Sequence, residues 1–264
     1  MTRKYTLFVT IFLLALIFPI IAVAQPQVIA HRGYWKTNGS AQNSIAALLK
    51  ADSLKLFGSE MDVWLSSDDV PVVNHDAHVV LDGKEIVIQE HPIAILRKVK
   101  LANGETLPTF EEYLDEFIQC THTKLIIELK PHREKYQEDA LAEKVMRMVR
   151  DRQLHHRVEY ISFSLNLIVK LIQLDPLANV YYLNGDLSPN TMRQIGASGI
   201  DYHYQVILNH PEWIELAHKL GQKVNVWTVN KAEDIQKMID LNVDFITTDE
   251  PLRVLEMIQN FSKK

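Results

Sequence analysis

Apolar and β-branched runs of three to seven residues alternate along most of the chain with longer stretches in which apolar side chains return every three or four positions. The short runs fall at residues 28–30, 59–64, 124–130, 158–163, 179–183, 200–203, 223–228 and 243–247. The longer stretches include 43–56, 138–150, 211–220 and 232–241, and their period is helical. Strand-length runs separated by amphipathic helices predict repeated βα units and a parallel sheet. Eight strands suit a closed TIM (β/α)8 barrel, although an open doubly wound sheet would carry the same alternation. The polar residues favour the barrel. They gather at the C-terminal ends of several different candidate strands, where barrel enzymes assemble their sites.

Two segments break the rhythm. Between residues 77 and 108, Asp82-Gly83 separates two strand-like runs and predicts a hairpin, and Asn103-Gly104 marks a second turn. This segment is expected to be a small insertion after the second barrel strand. Helix resumes behind Pro108, where Thr109 and Glu112 have the spacing of a capping box. The other break is at the N-terminus, where Arg3 and Lys4 precede an apolar run over residues 7–21 and then Ala22-Val23-Ala24. That order predicts a secretory signal peptide over residues 1–24 and a single mature domain over 25–264. The run is shorter than the roughly 20 residues of a spanning helix, and Pro19 interrupts it. The expectation is an exported protein, periplasmic or secreted, with no stable membrane insertion once the peptide is cleaved.

With 264 residues, 47% of them hydrophobic, the chain can bury one large core. Loss of Arg3 and Lys4 takes the formal charge from −5 to −7, which argues against nucleic acid as a partner and requires any phosphate site to be local. Cys120 is the single cysteine, so no internal disulfide forms, and a small buried side chain is its expected role. No feature of the sequence sets the oligomeric state.

The chemistry is concentrated in a few places. On a strand over residues 59–64, alternation puts Glu60, Asp62 and Trp64 on one face and Ser59, Met61 and Val63 on the other. Over residues 124–130, Leu125, Ile127 and Leu129 form the outward face, leaving Ile126, Glu128 and Lys130 inward. Like charges held close and away from water are costly unless a positive group joins them, so Glu60, Asp62 and Glu128 predict one divalent cation. An all-carboxylate set suits Ca2+ or Mg2+ better than zinc. Of eleven histidines, two are set apart by position. His31 directly follows the first strand, and His75 ends a short apolar run after the second. Two imidazoles that titrate near neutrality can serve one as general base and the other as general acid. Arg32 adds a planar fork of donors that matches phosphate oxygens.

The segments Ala30-His31-Arg32-Gly33, Glu60-Met61-Asp62-Val63, Val73-Asn74-His75-Asp76, Leu107-Pro108-Thr109, Ile127-Glu128-Leu129-Lys130 and Val226-Trp227-Thr228-Val229-Asn230 follow one another in this order. In this the chain resembles the glycerophosphodiester phosphodiesterase family. The resemblance implies a TIM barrel whose insertion, residues 77–108, partly covers the active site. It implies a glycerophosphodiester as substrate, cleaved to an alcohol and sn-glycerol 3-phosphate. By motif, Glu60, Asp62 and Glu128 match the metal ligands, His31 and His75 the catalytic pair, Arg32 and Lys130 the phosphate contacts, and Trp227 a residue on the glycerol side. One loop departs from the family pattern: where Pro-Glu-Asn-Thr is usual, this chain reads Ala41-Gln42-Asn43-Ser44, with Asn43 or Ser44 expected to start the following helix. Two rivals share the sequence features, a lysophospholipid or inositol phosphodiester hydrolase on the same barrel and an exported phosphodiester-binding protein without turnover. An apolar surface on the insertion would favour lipid, and a polar one a deacylated substrate.

Overall fold

The structure, a computed structural model, describes residues 25–261; the predicted signal peptide lies outside the described residues. The chain begins with β1 (Gln27–Ala30), crosses over α1 (Ile45–Ser53) and returns as β2 (Gly58–Leu65). Three short strands follow, β3 (Pro71–Val73), β4 (His78–Leu81) and β5 (Lys84–Val87), then the short α2 (Ile93–Leu96) and α3 (Phe110–Phe117). From there strand and helix alternate: β6 (Lys124–Leu129), α4 (Lys135–Asp151), β7 (Val158–Ser162), α5 (Leu165–Leu174), β8 (Val180–Tyr182), α6 (Pro189–Ile195), β9 (Gly199–His203). The last part runs α7 (Tyr204–Asn209), α8 (Glu212–Lys219), β10 (Lys223–Trp227), α9 (Ala232–Asp240), β11 (Phe245–Thr248) and α10 (Pro251–Phe261).

The parallel strands pair in the order β1-β11-β10-β9-β8-β7-β6-β2, and β1 pairs with β2 to close the ring. This is the expected TIM barrel, and every predicted barrel strand is present with its ends moved by a residue or two. Met61, Val63, Leu125, Ile127 and Leu129 point outward and pack with the helices in the main core. Ile29, Ile126, Ile161, Tyr181 and Phe245 fill the inside of the barrel. Alternation along β2 and β6 therefore resolves as the sequence predicts, with apolar residues facing the helices and the acids facing in.

The insertion has a core of its own. β4 and β5 pair antiparallel around Asp82 and Gly83, both at positive φ, as a tight two-residue hairpin turn requires. Val79, Ile88, Leu96, Val99 and Leu107 pack with Trp64 from the end of β2 and Val72 from β3. β3 itself runs antiparallel along the far end of β2. His75 therefore follows an added antiparallel strand rather than a stave of the barrel, and Trp64 Nε1 donates to its carbonyl at 3.2 Å. Within residues 77–108 the large apolar side chain left in solvent is Val80. The far end of the insertion is tied to the barrel by Glu105, whose carboxylate accepts from the backbone N–H of Ile45 and Ala46 in the first turn of α1. The predicted capping box at Thr109 and Glu112 starts α3.

Candidate active site

Strand register explains why the acids meet. Asp62 lies directly opposite Glu128 in the parallel β2–β6 ladder, and Glu60 sits two residues before Asp62 on the same face. One carboxylate oxygen from each of Glu60, Asp62 and Glu128 comes within 4.8 Å of the others, and all three side chains are buried. Lys130 reaches back over this cluster, with Nζ 2.7 Å from Asp62 and 2.7 Å from Glu128. Glu60 Oε2 accepts the Arg32 backbone N–H at 2.7 Å, while Glu60 Oε1 is buried with no hydrogen-bond partner.

Crowding sets the charges. Burial, with Asp62 and Glu128 alongside, pushes the Glu60 carboxyl well above the usual carboxylate range. Burial and the neighbouring Asp62 push Glu128 up to about 8. Burial acts against the charge of Asp62 too, but Lys130, His75 and the Asn43 amide outweigh it and hold Asp62 below its ordinary value. Lys130 is buried, which disfavours its charge, yet Asp62 and Glu128 raise it above the usual lysine range. One lysine cannot neutralise three acids, and an unpartnered Glu60 oxygen faces the same space. This all-oxygen set can hold a divalent cation.

The first loop supplies the rest of this wall. His31, Arg32 and Gly33 turn sharply, with Arg32 at φ 55° and Gly33 at φ 75°. A Cβ at Gly33 would lie 2.7 Å from the Cβ of Ala47, so only glycine lets the loop close onto α1. Ser44, not Asn43, caps α1, its side chain accepting from Ala47 N–H. Asn43 does something else: at φ 59° it turns inward, donates Nδ2–H to Asp62 Oδ2 at 2.8 Å, and accepts the Asp62 N–H at 3.3 Å. Gln42, at the departure from the family loop, accepts from an Arg32 terminal nitrogen at 2.7 Å. The guanidinium is thereby oriented by a neutral group, and its buried Nε has no partner within the protein.

Across the mouth, register again places the catalytic candidates. Ala30 is opposite Thr248, so the residues that follow, His31 and Asp249, emerge side by side. His31 Nδ1 lies 2.8 Å from Asp249 Oδ1. The same carboxylate accepts Trp35 Nε1–H at 3.2 Å and Asn230 Nδ2–H at 2.8 Å. Burial works against the Asp249 charge, but these hydrogen bonds and the His31 ring bring its pKa down to about 2. His75 has its own carboxylate, Asp76, at 2.7 Å, but Asp76 stands in solvent. Burial, assisted by Lys130 and Arg32, holds His75 below the ordinary histidine value against the pull of Asp62. His31, Arg32, Glu60, His75, Glu128 and Trp227 line one cavity of about 130 Å³, open at the C-terminal end of the barrel. Asp62 and Lys130 sit directly against Glu128. Trp227 is fixed by a 3.0 Å hydrogen bond from Nε1 to the Asp201 carbonyl and by edge contacts with Phe163 and His203.

A model of the glycerophosphoryl diester phosphodiesterase family matches residues 31–253. The chain belongs to that family. Its relatives include a glycerophosphodiester phosphodiesterase of Caldanaerobacter subterraneus subsp. tengcongensis, 29% identical over 88% of this chain and 97% of the relative. The crystal structure of a glycerophosphodiester phosphodiesterase from Parabacteroides distasonis superposes with a TM-score of 0.87 at 42% identity, over 90% of this chain and 98% of the other. An Oleispira antarctica phosphodiesterase, solved with the product sn-glycerol-3-phosphate, shares the fold with a TM-score of 0.76 at 24% identity, over 89% and 97% of the two chains. The chain is thus a phosphoric diester hydrolase of the glycerophosphodiester phosphodiesterase family.

All eight site residues named from the sequence fall within or against the one cavity. Polar residues at this site that the sequence reading did not single out include Asn43, Asn230 and Asp249, and Asp201 in the cavity lining. Asp249 had a signal, since it follows the last barrel strand directly and polar residues at such positions are where barrel sites are built. Asn43 had none, because an asparagine ahead of a helix is most simply a cap.

Proposed function

We propose that the protein hydrolyses glycerophosphodiesters to an alcohol and sn-glycerol 3-phosphate, with His31 and His75 as its acid–base pair and one Ca2+ or Mg2+ ion held by Glu60, Asp62 and Glu128. The observation that carries this reading is the meeting of three buried carboxylates with two histidines in a single cavity. One histidine takes the proton of the glycerol 2-hydroxyl as its oxygen attacks phosphorus. The other protonates the departing alkoxide. Water then opens the cyclic phosphate with the two roles exchanged. The cation supplies positive charge beside the non-bridging oxygens when bound. Arg32 contacts a phosphate oxygen in this reading, which its buried Nε, without a partner within the protein, supports. Lys130 balances the charge of Asp62 and Glu128, and Trp227 offers an apolar wall to the glycerol carbons.

The insertion supports a deacylated substrate over a lipid. Most of its apolar side chains pack in or against its own core, and Val80 is the one large apolar side chain of residues 77–108 that is exposed. The decisive experiment is a panel of glycerophosphodiesters, a lysophospholipid and an inositol phosphodiester, offered to chelator-treated protein with metal ions added back singly. Release of sn-glycerol 3-phosphate that depends on Ca2+ or Mg2+ is expected. Tight binding without product in either ion would instead favour an exported binding protein. Export itself rests on residues 1–24, and sequencing the N-terminus of protein recovered outside the cytoplasm, expected at Gln25, checks it.

A further inference from the structure

The cavity has two unlike halves. His31, Arg32, Glu60, His75 and Glu128 make the charged one. The other is an apolar wall of Ile161, Phe163, Leu183 and Trp227, and set in that wall is one acid, Asp201, on β9 across the ring from β2. Asp201 is 2% exposed, and its Oδ1 has no hydrogen-bond partner in the protein. Asn225, opposite it in the β9–β10 ladder, hydrogen-bonds the carboxyl, and Trp227 Nε1 donates to the Asp201 backbone carbonyl, which holds the indole over the same strand. Glu159, also inside the barrel, has Lys124 at 2.7 Å, but among the described residues no cation pairs with Asp201. Burial pushes Asp201 up to about 7 against the pull of Asn225, with Glu159 adding to the rise. Near neutrality the carboxyl is therefore present with and without its proton, and a hydroxyl, which both donates and accepts, can pair with either form. A buried polar atom left unmet costs free energy, and a barrel layer that needed only packing would carry an apolar side chain there.

The substrate of the proposed reaction has one group that fits. Its 2-hydroxyl attacks phosphorus and its phosphate meets Arg32 and the carboxylate cluster, so both belong to the charged half. The primary hydroxyl at the far end of the glycerol takes no part in the chemistry. With the glycerol carbons against Trp227, that hydroxyl is carried toward β9. We propose that Asp201 sets the specificity of the site by hydrogen-bonding the free primary hydroxyl of the glycerol moiety. This rests on the glycerophosphodiester reading above and deepens it. A lysophospholipid acylated at that oxygen offers no hydroxyl, leaves the carboxyl unmet, and has to bring an acyl chain into a cavity of about 130 Å³. The site then takes deacylated glycerophosphodiesters because of what it cannot pair in the acylated ones.

The test compares two substrates on the metal-supplemented protein: glycerophosphocholine, and propane-1,2-diol phosphocholine, which has hydrogen in place of the primary hydroxyl. The analogue keeps the attacking 2-hydroxyl and the leaving group. Wild-type kcat/KM should be about 10–10³-fold lower for the analogue. Asp201→Leu should shrink that ratio to near one, and Asp201→Asn, whose amide still pairs with a hydroxyl, should keep most of it. Equal rates on the two substrates by the wild-type protein would overturn the proposal with no variant needed. So would a folded Asp201→Leu protein that loses rate on both alike, since a residue that only packs leaves the ratio where it was. Comparing glycerophosphoglycerol with glycerophosphopropanol locates the hydroxyl. A ratio that moves there with Asp201→Leu while the first stays fixed puts the carboxyl on the leaving-group side and also overturns the proposal. If the wild-type protein cleaves no glycerophosphodiester, the proposed reaction fails, and calorimetry with sn-glycerol 3-phosphate and with 2-hydroxypropyl phosphate still tests Asp201: tighter binding of the first upholds its role, and equal binding removes it.

Discussion

Glu128 and Asp249 are both withdrawn from solvent at the mouth of the same barrel, a few strands apart, yet their surroundings drive them in opposite directions. On the β2–β6 side three carboxylates share one lysine, and Glu128 is pushed up to about 8 by burial and by Asp62. On the β1–β11 side a single carboxylate collects donors from His31, Asn230 and Trp35, and Asp249 comes down to about 2. Burial acts against the charge in both places. What differs is the ratio of donors to acids. The crowded side is short of positive charge and suited to receive a cation, whereas the other side is complete within the protein and suited to hold a ring still.

The contrast can be broken in stages. Replacing His31 or His75 by Ala should lower turnover of substrates with poor leaving groups by about 10²–10⁴-fold, the largest effect expected, and steady-state kinetics with glycerophosphocholine reads it directly. Near-normal turnover by either variant would remove that histidine from the chemistry. Asn43→Ala acts on the crowded side alone: with Asp62 no longer held, divalent-ion affinity should drop by about 10–100-fold in titration calorimetry.

Stability should track pH with opposite signs on the two sides. In chelator-treated protein Glu128 keeps a proton that the unfolded chain releases above its ordinary value of 4.5, and Glu60 is raised in the same sense. The folded state then binds more protons than the unfolded between 4.5 and about 8, so stability falls as pH rises through that window. Thermal unfolding with chelator at about pH 5 and about pH 8 should show the lower midpoint at the higher pH, and added Ca2+ or Mg2+ should reverse the order. Glu128→Gln should raise the metal-free midpoint at the higher pH, at the expense of ion binding. Asp249 contributes in the other window: its stabilisation is complete above its ordinary value of 3.8 and is lost as pH falls toward about 2. The smallest effect lies away from both walls. Thr109→Ala removes one half of the capping box of α3 and should cost about 1 kcal/mol in denaturant unfolding with the rate per folded molecule unchanged.

Several features were decided by the sequence alone. The order of strands and helices follows from apolar periodicity, since a period of two gives a strand one apolar face and a period near 3.6 gives a helix one. The inward facing of Glu60, Asp62 and Glu128 follows from strict alternation on a strand, with Met61, Val63, Ile127 and Leu129 claiming the other face. Register is a property of two strands at once, so only the fold could set Asp62 opposite Glu128, or bring His31 beside Asp249 across 218 residues of chain. Left-handed backbone at Arg32 and Asn43 was equally invisible, because the loop's contacts with α1 and β2 impose it. Local pattern therefore settled which residues point into the barrel. Tertiary pairing settled which of them touch, and with that which carboxylates are raised, which one is lowered, and which histidine is held.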